Sequence, residues 1–156
     1  MPQATAVAVT TKLDRYELLE RAARLAAMAK KEADGEDPAV VQNAAGKGWI
    51  AARMAAAAVA ECKTGSRPRG TEHLRRVIEE LAKRSPDILP LDAHLSRAFA
   101  DLHLRCSEQG ECTASEIRRM VSAIGEKLVP AAGAACGWSP PAPPVQGLRR
   151  RSRRRP

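Results

Sequence analysis

Apolar residues recur along the chain every three or four positions, which is the spacing of amphipathic α-helices. The first stripe predicts a helix over about residues 13–33, and its members are Leu18, Ala22, Leu25, Ala29 and Ala33. Further stripes predict helices over about residues 38–64, 71–84, 91–107 and 114–129. No useful run alternates between apolar and polar positions as a half-buried strand does. The pattern therefore predicts an all-α chain of five helices.

Capping residues and prolines mark the ends of these predicted helices. The clearest capping box pairs Thr113 with Glu116 and opens the fifth helix, which Pro130 is expected to end. Because the connections are short, neighbouring helices are expected to be antiparallel, in an up-and-down bundle of four or five helices. The other predicted start signals are Thr11 with Asp14, Asp37 with Pro38, and Thr71.

Alanine supplies 30 of the 156 residues, and the middle of the second predicted helix consists almost entirely of small residues. Small residues permit the close approach of neighbouring helices, which suits either the central helix of a bundle or the seam of a homodimer. Trp49 is expected to fill the space that these residues leave, in a core or at an interface. Trp49, Ala52 and Ala56 are accordingly the predicted interface residues of a homodimer.

The formal charge of +8 is concentrated at the C-terminal end of the chain. Residues 138–156 contain no acid and six arginines, namely Arg149, Arg150, Arg151, Arg153, Arg154 and Arg155. We therefore predict a flexible N-terminus (1–12), a nearly neutral bundle (13–130) and a disordered Pro/Arg-rich tail (131–156). The tail is either a solvated end or a segment that attracts RNA or DNA phosphates.

The cysteines and the apolar runs bear on the compartment. No apolar run is long enough to cross a membrane, and residues 1–10 lack the features of a secretory signal, so we predict a cytoplasmic location. The four cysteines show no metal-ligand spacing, and common enzyme signatures are missing, so neither a metal nor a cofactor is predicted. Cys106 and Cys112 flank a predicted turn, but a reducing cytoplasm is expected to keep them as thiols.

Arg97 and His103 are the candidate catalytic residues. An imidazole can serve as acid or base at a ribose 2′-OH while a guanidinium stabilises the phosphate charge, so such a pair can cut RNA without a metal. On an ideal helix, six residues leave these side chains about 120° apart, so convergence needs a second copy of the chain. Arg67 and His73 share the same spacing, which shows that chance produces it, and His73 and His94 are predicted to face solvent.

Three stretches of the chain resemble the HEPN superfamily of helical bundles, most closely its archaeal PaREP-type family. They are Gly-Glu-Asp-Pro at residues 35–38, Lys-Gly-Trp-Ile-Ala-Ala at residues 47–52, and Phe-Ala-Asp-Leu-His at residues 99–103. The resemblance covers about residues 13–129 and implies an HEPN-like bundle. Many HEPN proteins carry an Arg and a His four to six residues apart, and by resemblance Arg97 and His103 occupy those places. The familiar active form has Asn directly after the Arg, where this chain has Ala98.

The resemblance implies a metal-independent ribonuclease or RNA-associated module of toxin–antitoxin type, with a nucleotidyltransferase-like antitoxin as partner. Lys47 joins the tail arginines as a candidate nucleic-acid-binding residue, although a lysine there is more often a surface charge. The alternative is a non-catalytic interaction bundle whose arginine-rich tail binds nucleic acid or an acidic partner without sequence preference.

Overall fold

The computed structural model describes residues 13–140, and every regular element in that range is helical. The elements are α1 (Arg15–Ala33), α2 (Pro38–Thr64), α3 (Thr71–Arg84), a 3₁₀ turn (Pro86–Ile88), α4 (Leu89–Arg97), a first π-segment (Ala98–Glu108), α5 (Ala114–Ala123), a second π-segment (Ile124–Leu128) and α6 (Val129–Cys136). α4 runs directly into the first π-segment, and α5 continues through the second π-segment into α6. The prediction of an all-α chain of five helices is confirmed for the described residues.

α2 lies at the centre of the molecule. It contacts α1, α3, α5, α6 and the first π-segment, and 12 of its 27 residues are buried. The buried residues of α1 that complete this core are Leu18, Leu19, Ala22, Ala26, Ala29 and Ala33. Alanine contributes no side-chain entropy cost on burial and lets helix axes approach closely, so an Ala-rich α2 can be surrounded on several sides.

The predicted interface residues lie inside this core. Trp49 is 3% exposed, and Ala52 and Ala56 are 0% exposed, so neighbours in the same chain already cover all three. Within one chain these residues pack against neighbouring helices, which leaves little of their surface exposed to a partner. The homodimer and its seam stay a prediction.

The caps agree with the sequence at two helices and differ at two others. The Asp37 carboxylate accepts from the amide of Ala39, and the Thr113 hydroxyl accepts from the amide of Glu116, both as predicted. α1 begins at Arg15 because the Asp14 carboxylate caps the amides of Tyr16 and Glu17. Asp14 itself is thus the cap, and the predicted role of Thr11 lies outside the described residues. At α3, Gly70 occupies the capping position with a φ of 79°, so the prediction that Thr71 caps this helix is wrong.

The expectation that the fifth predicted helix ends at Pro130 is wrong. α5, the second π-segment and α6 form one continuous helical stretch, which we call the fifth rod. The second π-segment widens the helix, and the amide of Val129 bonds the carbonyl of Ile124 five residues back. Pro130 then lies in the first turn of α6, where a missing N–H is tolerated. The helix therefore reaches Cys136, and residues 131–136, which the sequence assigned to a disordered tail, are helical.

The C-terminal end of α6 is held in place by a turn that folds back onto the helix. Gly137 ends the helix with a φ of 66°, and the amide of Trp138 bonds the carbonyl of Gly133 at 2.8 Å. A Cβ on Gly133 would lie 2.6 Å from the Trp138 carbonyl oxygen, so this turn requires glycine at that position. Residues 141–156 of the predicted tail lie outside the described residues.

All four cysteines are paired in disulfides. Cys62 at the end of α2 is bonded to Cys136 at the end of α6, and Cys106 is bonded to Cys112 across the turn before α5. The expectation that Cys106 and Cys112 remain thiols is wrong in this structure, because the turn brings their Cα atoms to 4.9 Å. Disulfides are typical of oxidising compartments, so the cytoplasmic location stays a prediction that these bonds do not favour.

None of the helices within residues 13–140 is both long and apolar enough to cross a membrane.

Replacing a buried alanine of α2 with a larger residue is expected to destabilise the chain. Ala52→Leu forces a larger side chain into a fully packed site, so the free energy of unfolding should fall by about 1–3 kcal/mol in urea denaturation. Ala27→Leu is the matched control, since Ala27 is exposed on α1 and its replacement should change stability by less than about 0.5 kcal/mol. Equal effects of the two substitutions would contradict a central α2.

The two disulfides should differ in their contribution to stability. Cys62→Ala with Cys136→Ala opens a loop with a sequence separation of 74 and should cost about 4 kcal/mol of unfolding free energy. Cys106→Ala with Cys112→Ala opens a loop with a separation of 6 and should cost about 2 kcal/mol, because less chain is constrained. Urea denaturation with and without a reducing agent measures both values, and a reversed order would count against this assignment.

Candidate functional site

His103 belongs to an aromatic cluster on one side of α2. Its ring is stacked on that of Trp49, with centroids 5.0 Å apart and planes 20° apart. Phe99 completes the cluster, since its ring centroid lies 5.6 Å from those of Trp49 and His103. His103 is half-buried, and Trp49 covers one face of its imidazole. The contacts of His103 are therefore those of a packing residue.

Arg75 of α3 extends this cluster by a cation–π contact. Its guanidinium carbon lies 4.0 Å from the centroid of the Phe99 ring, within the range of a favourable contact. The buried Nε of Arg75 finds no hydrogen-bond partner among the described residues. Burial raises the pKa of the nearby Asp92 carboxyl, and the charge of Glu79 adds to that rise while Arg75 opposes it. Arg75 is thus held by an aromatic face instead of a tight ion pair.

Arg97 lies on a different surface from His103. It lines a small cavity of about 50 Å³ between α4 and the fifth rod, and His103 is not among the lining residues. We call this the basic cavity, and its lining residues are His94, Arg97, Ala98, Leu102, Met120, Ala123, Ile124 and Lys127. One copy of the chain therefore keeps Arg97 and His103 apart. Their spacing of six residues predicts this separation.

The basic cavity is positively charged at its rim and apolar at its floor. His94, Arg97 and Lys127 supply the basic groups, and no Asp or Glu is among the lining residues. Neither Arg97 nor Lys127 forms an ion pair with any acid in residues 13–140. Burial lowers the pKa of His94, and the positive charges of Lys127 and Arg97 lower it further. These bases therefore repel one another without an internal counterion.

Lys47 is engaged within the chain. Its ammonium group is paired with the Glu32 carboxylate of α1, and both side chains are about one-third exposed or less. The contact ties α1 to α2, and the phosphate contact of Lys47 stays a prediction. The remaining predicted nucleic-acid-binding residues lie outside the described residues, and they are Arg149, Arg150, Arg151, Arg153, Arg154 and Arg155.

Other charged residues form contacts between neighbouring helices. The Glu116 carboxylate accepts from Arg105 of the first π-segment at 2.8 Å and so joins that segment to α5. This contact lowers the pKa of Glu116 and raises that of Arg105. Arg118 of α5 donates to the carbonyls of Ala33 and Gly35 and so closes the C-terminal end of α1.

Sequence reasoning missed two members of the basic cavity. His94 was expected to face solvent like His73, which is indeed exposed, yet His94 is half-buried. The separation of three residues between His94 and Arg97 places both on one face of a helix, and that signal was readable. Lys127 comes from another rod, so its approach is a tertiary contact that the spacing does not reveal.

Comparisons of this chain with protein-family models, with curated proteins and with solved structures found no match. Among residues 13–140, no group of three or more His, Cys, Asp or Glu side chains converges on a point where a metal ion would bind. The resemblance to the HEPN superfamily therefore remains an interpretation of the sequence.

Removing the charge of Lys127 should raise the pKa of His94. Lys127→Gln deletes a positive charge that disfavours the imidazolium, and NMR titration of the His94 ring protons measures the rise. Arg21→Gln is the control, because Arg21 of α1 does not line the basic cavity.

The lowered pKa of His94 also makes the stability of the folded chain depend on pH. The pKa of His94 lies below its ordinary value of 6.5 in the folded chain, so the unfolded chain binds more protons as the pH falls through that region. Stability should therefore decline from pH 7.5 to pH 5.5, and the decline should be smaller in Lys127→Gln. An unchanged His94 pKa in this variant would show that the two groups are not coupled.

Proposed function

We propose that this chain is a non-catalytic helical bundle that associates with RNA, with its C-terminal arginines as the main phosphate contacts. The observation that supports this proposal is the separation of Arg97, in the basic cavity, from His103, in the aromatic cluster. Metal-independent RNA cleavage needs a base and a charge stabiliser at one phosphate, and Arg97 and His103 of one chain do not meet at such a point.

The distribution of charge supports binding as the activity. Six arginines between positions 149 and 155 have no neighbouring acid, so they offer attraction to a polyanion without competition from the same segment. Within the bundle, Lys47 is paired with Glu32 and Arg105 is paired with Glu116. Nucleic-acid binding of this kind is salt-dependent and tolerant of sequence.

A ribonuclease of toxin–antitoxin type is the competing proposal, and it follows from the resemblance to HEPN proteins. It needs two copies of the chain, so that Arg97 of one meets His103 of the other. The aromatic cluster disfavours this arrangement, since His103 is half-buried between Trp49 and Phe99.

Replacing the six tail arginines with glutamine should weaken RNA binding by the full-length chain. Fluorescence anisotropy with a labelled single-stranded RNA at several salt concentrations should show a lower affinity and a salt slope reduced by up to about 4. The variant with six lysines keeps the charge, so it should retain most of the affinity and the slope. Equal binding by all three proteins would overturn the assignment of the tail.

Cleavage is tested separately on the same RNA in the presence of EDTA. We expect the wild-type chain, Arg97→Ala and His103→Ala to leave the RNA intact. Cleavage by the wild type that both substitutions abolish, with unchanged helical circular dichroism, would overturn the non-catalytic proposal and support the ribonuclease.

A further inference from the structure

The basic cavity has a property that the proposed RNA association does not require. Its floor is apolar, because the side chains that line it are those of Ala98, Leu102, Met120, Ala123 and Ile124. Ala98, Leu102 and Ile124 are also buried, at 4%, 1% and 3% exposure. Its volume of about 50 Å³ corresponds to the space of roughly three or four water molecules. An apolar hole of this size gains little from water, which finds few hydrogen-bond partners on such a surface.

The rim of the same cavity carries an unbalanced positive charge. His94 and Arg97 come from α4 and Lys127 comes from the second π-segment, so the bases approach the opening from two rods. No carboxylate lines the cavity, and neither Arg97 nor Lys127 is paired within the described residues. An anion at the opening would neutralise this repulsion and join the two rods through charge-assisted hydrogen bonds.

We propose that the basic cavity binds an anionic head group, phosphate or carboxylate, that carries a short unbranched hydrocarbon chain. The head group contacts Arg97 and Lys127 at the rim, and the hydrocarbon enters the space lined by Leu102, Met120 and Ile124. A backbone phosphate of a nucleic acid lacks such a chain, so this site is distinct from the phosphate contacts proposed for the tail. The two proposals can therefore fail independently.

The test uses n-butyl phosphate, n-butyrate, inorganic phosphate and n-butanol as probes of the full-length oxidised chain. The ring protons of His94 report binding locally by NMR, which separates this site from phosphate bound elsewhere, and those of His73 serve as the internal control. We expect saturable shifts of His94 with n-butyl phosphate or n-butyrate and none with n-butanol. Which of the two anions binds more tightly identifies the head group.

The contribution of the hydrocarbon is measured by comparing the affinities for n-butyl phosphate and inorganic phosphate. Burying two methylene groups strengthens binding by about tenfold, so n-butyl phosphate should bind about ten times more tightly than inorganic phosphate. Arg97→Gln and Lys127→Gln should each weaken binding about tenfold, and Arg21→Gln should leave it unchanged. Equal affinity for n-butyl phosphate and inorganic phosphate would reduce the cavity to a surface charge cluster and overturn the proposal.

Two variants of the floor keep the rim intact. Ala123→Leu fills the cavity and should abolish the preference for n-butyl over inorganic phosphate. Met120→Ala enlarges the cavity and should shift the preference towards n-hexyl phosphate, which covers the case in which Ala123→Leu fails to fold. Unaltered chain-length preference in a folded variant of either kind would also overturn the proposal.

Discussion

Contact between the alanines of α1 and α2 brings two helix backbones close together, and the remaining helices pack around this pair. Small side chains on several faces of α2 let α3, α5, α6 and the first π-segment reach it as well, so the centre of the molecule is a helix and not a cluster of large side chains. Such a core gains less from each buried residue than one of leucine and phenylalanine, because alanine buries little apolar area. The disulfide between Cys62 and Cys136 and the ion pair of Glu32 with Lys47 add contacts between helices that do not depend on buried apolar area.

The local features of this fold were predictable from the sequence. Helix spacing is encoded by neighbouring residues, and Asp37 and Thr113 cap the helices that they precede. The π-segments were not predictable, because π-helices are rare and carry no start or stop residues of their own inside an α-helix. Because the fifth helix was expected to end at Pro130, Cys136 was assigned to the tail. Its disulfide with Cys62 was therefore not predicted.

For the candidate site, too, the local features were predictable and the tertiary contacts were not. On an ideal α-helix the spacing places Arg97 and His103 about 120° apart, and the separation of three residues places His94 and Arg97 on one face. The stacking of His103 on Trp49 and the approach of Lys127 to Arg97 join residues that lie far apart in the chain. Only the packed bundle reveals that Arg97 belongs with Lys127 rather than with His103. Residue types and spacing thus pointed to Arg97, which lines the basic cavity, but paired it with His103, whereas the structure places His94 beside it.

The bond between Cys62 and Cys136 also sets how the molecule responds to mechanical force. A pull on the C-terminal end of the chain would reach Cys136 first, and the disulfide would pass the tension to the last turn of α2 without peeling α6 away. Because α2 contacts most of the other helices, that tension would be shared by the whole core at once. The bundle would therefore resist stepwise unravelling from that end.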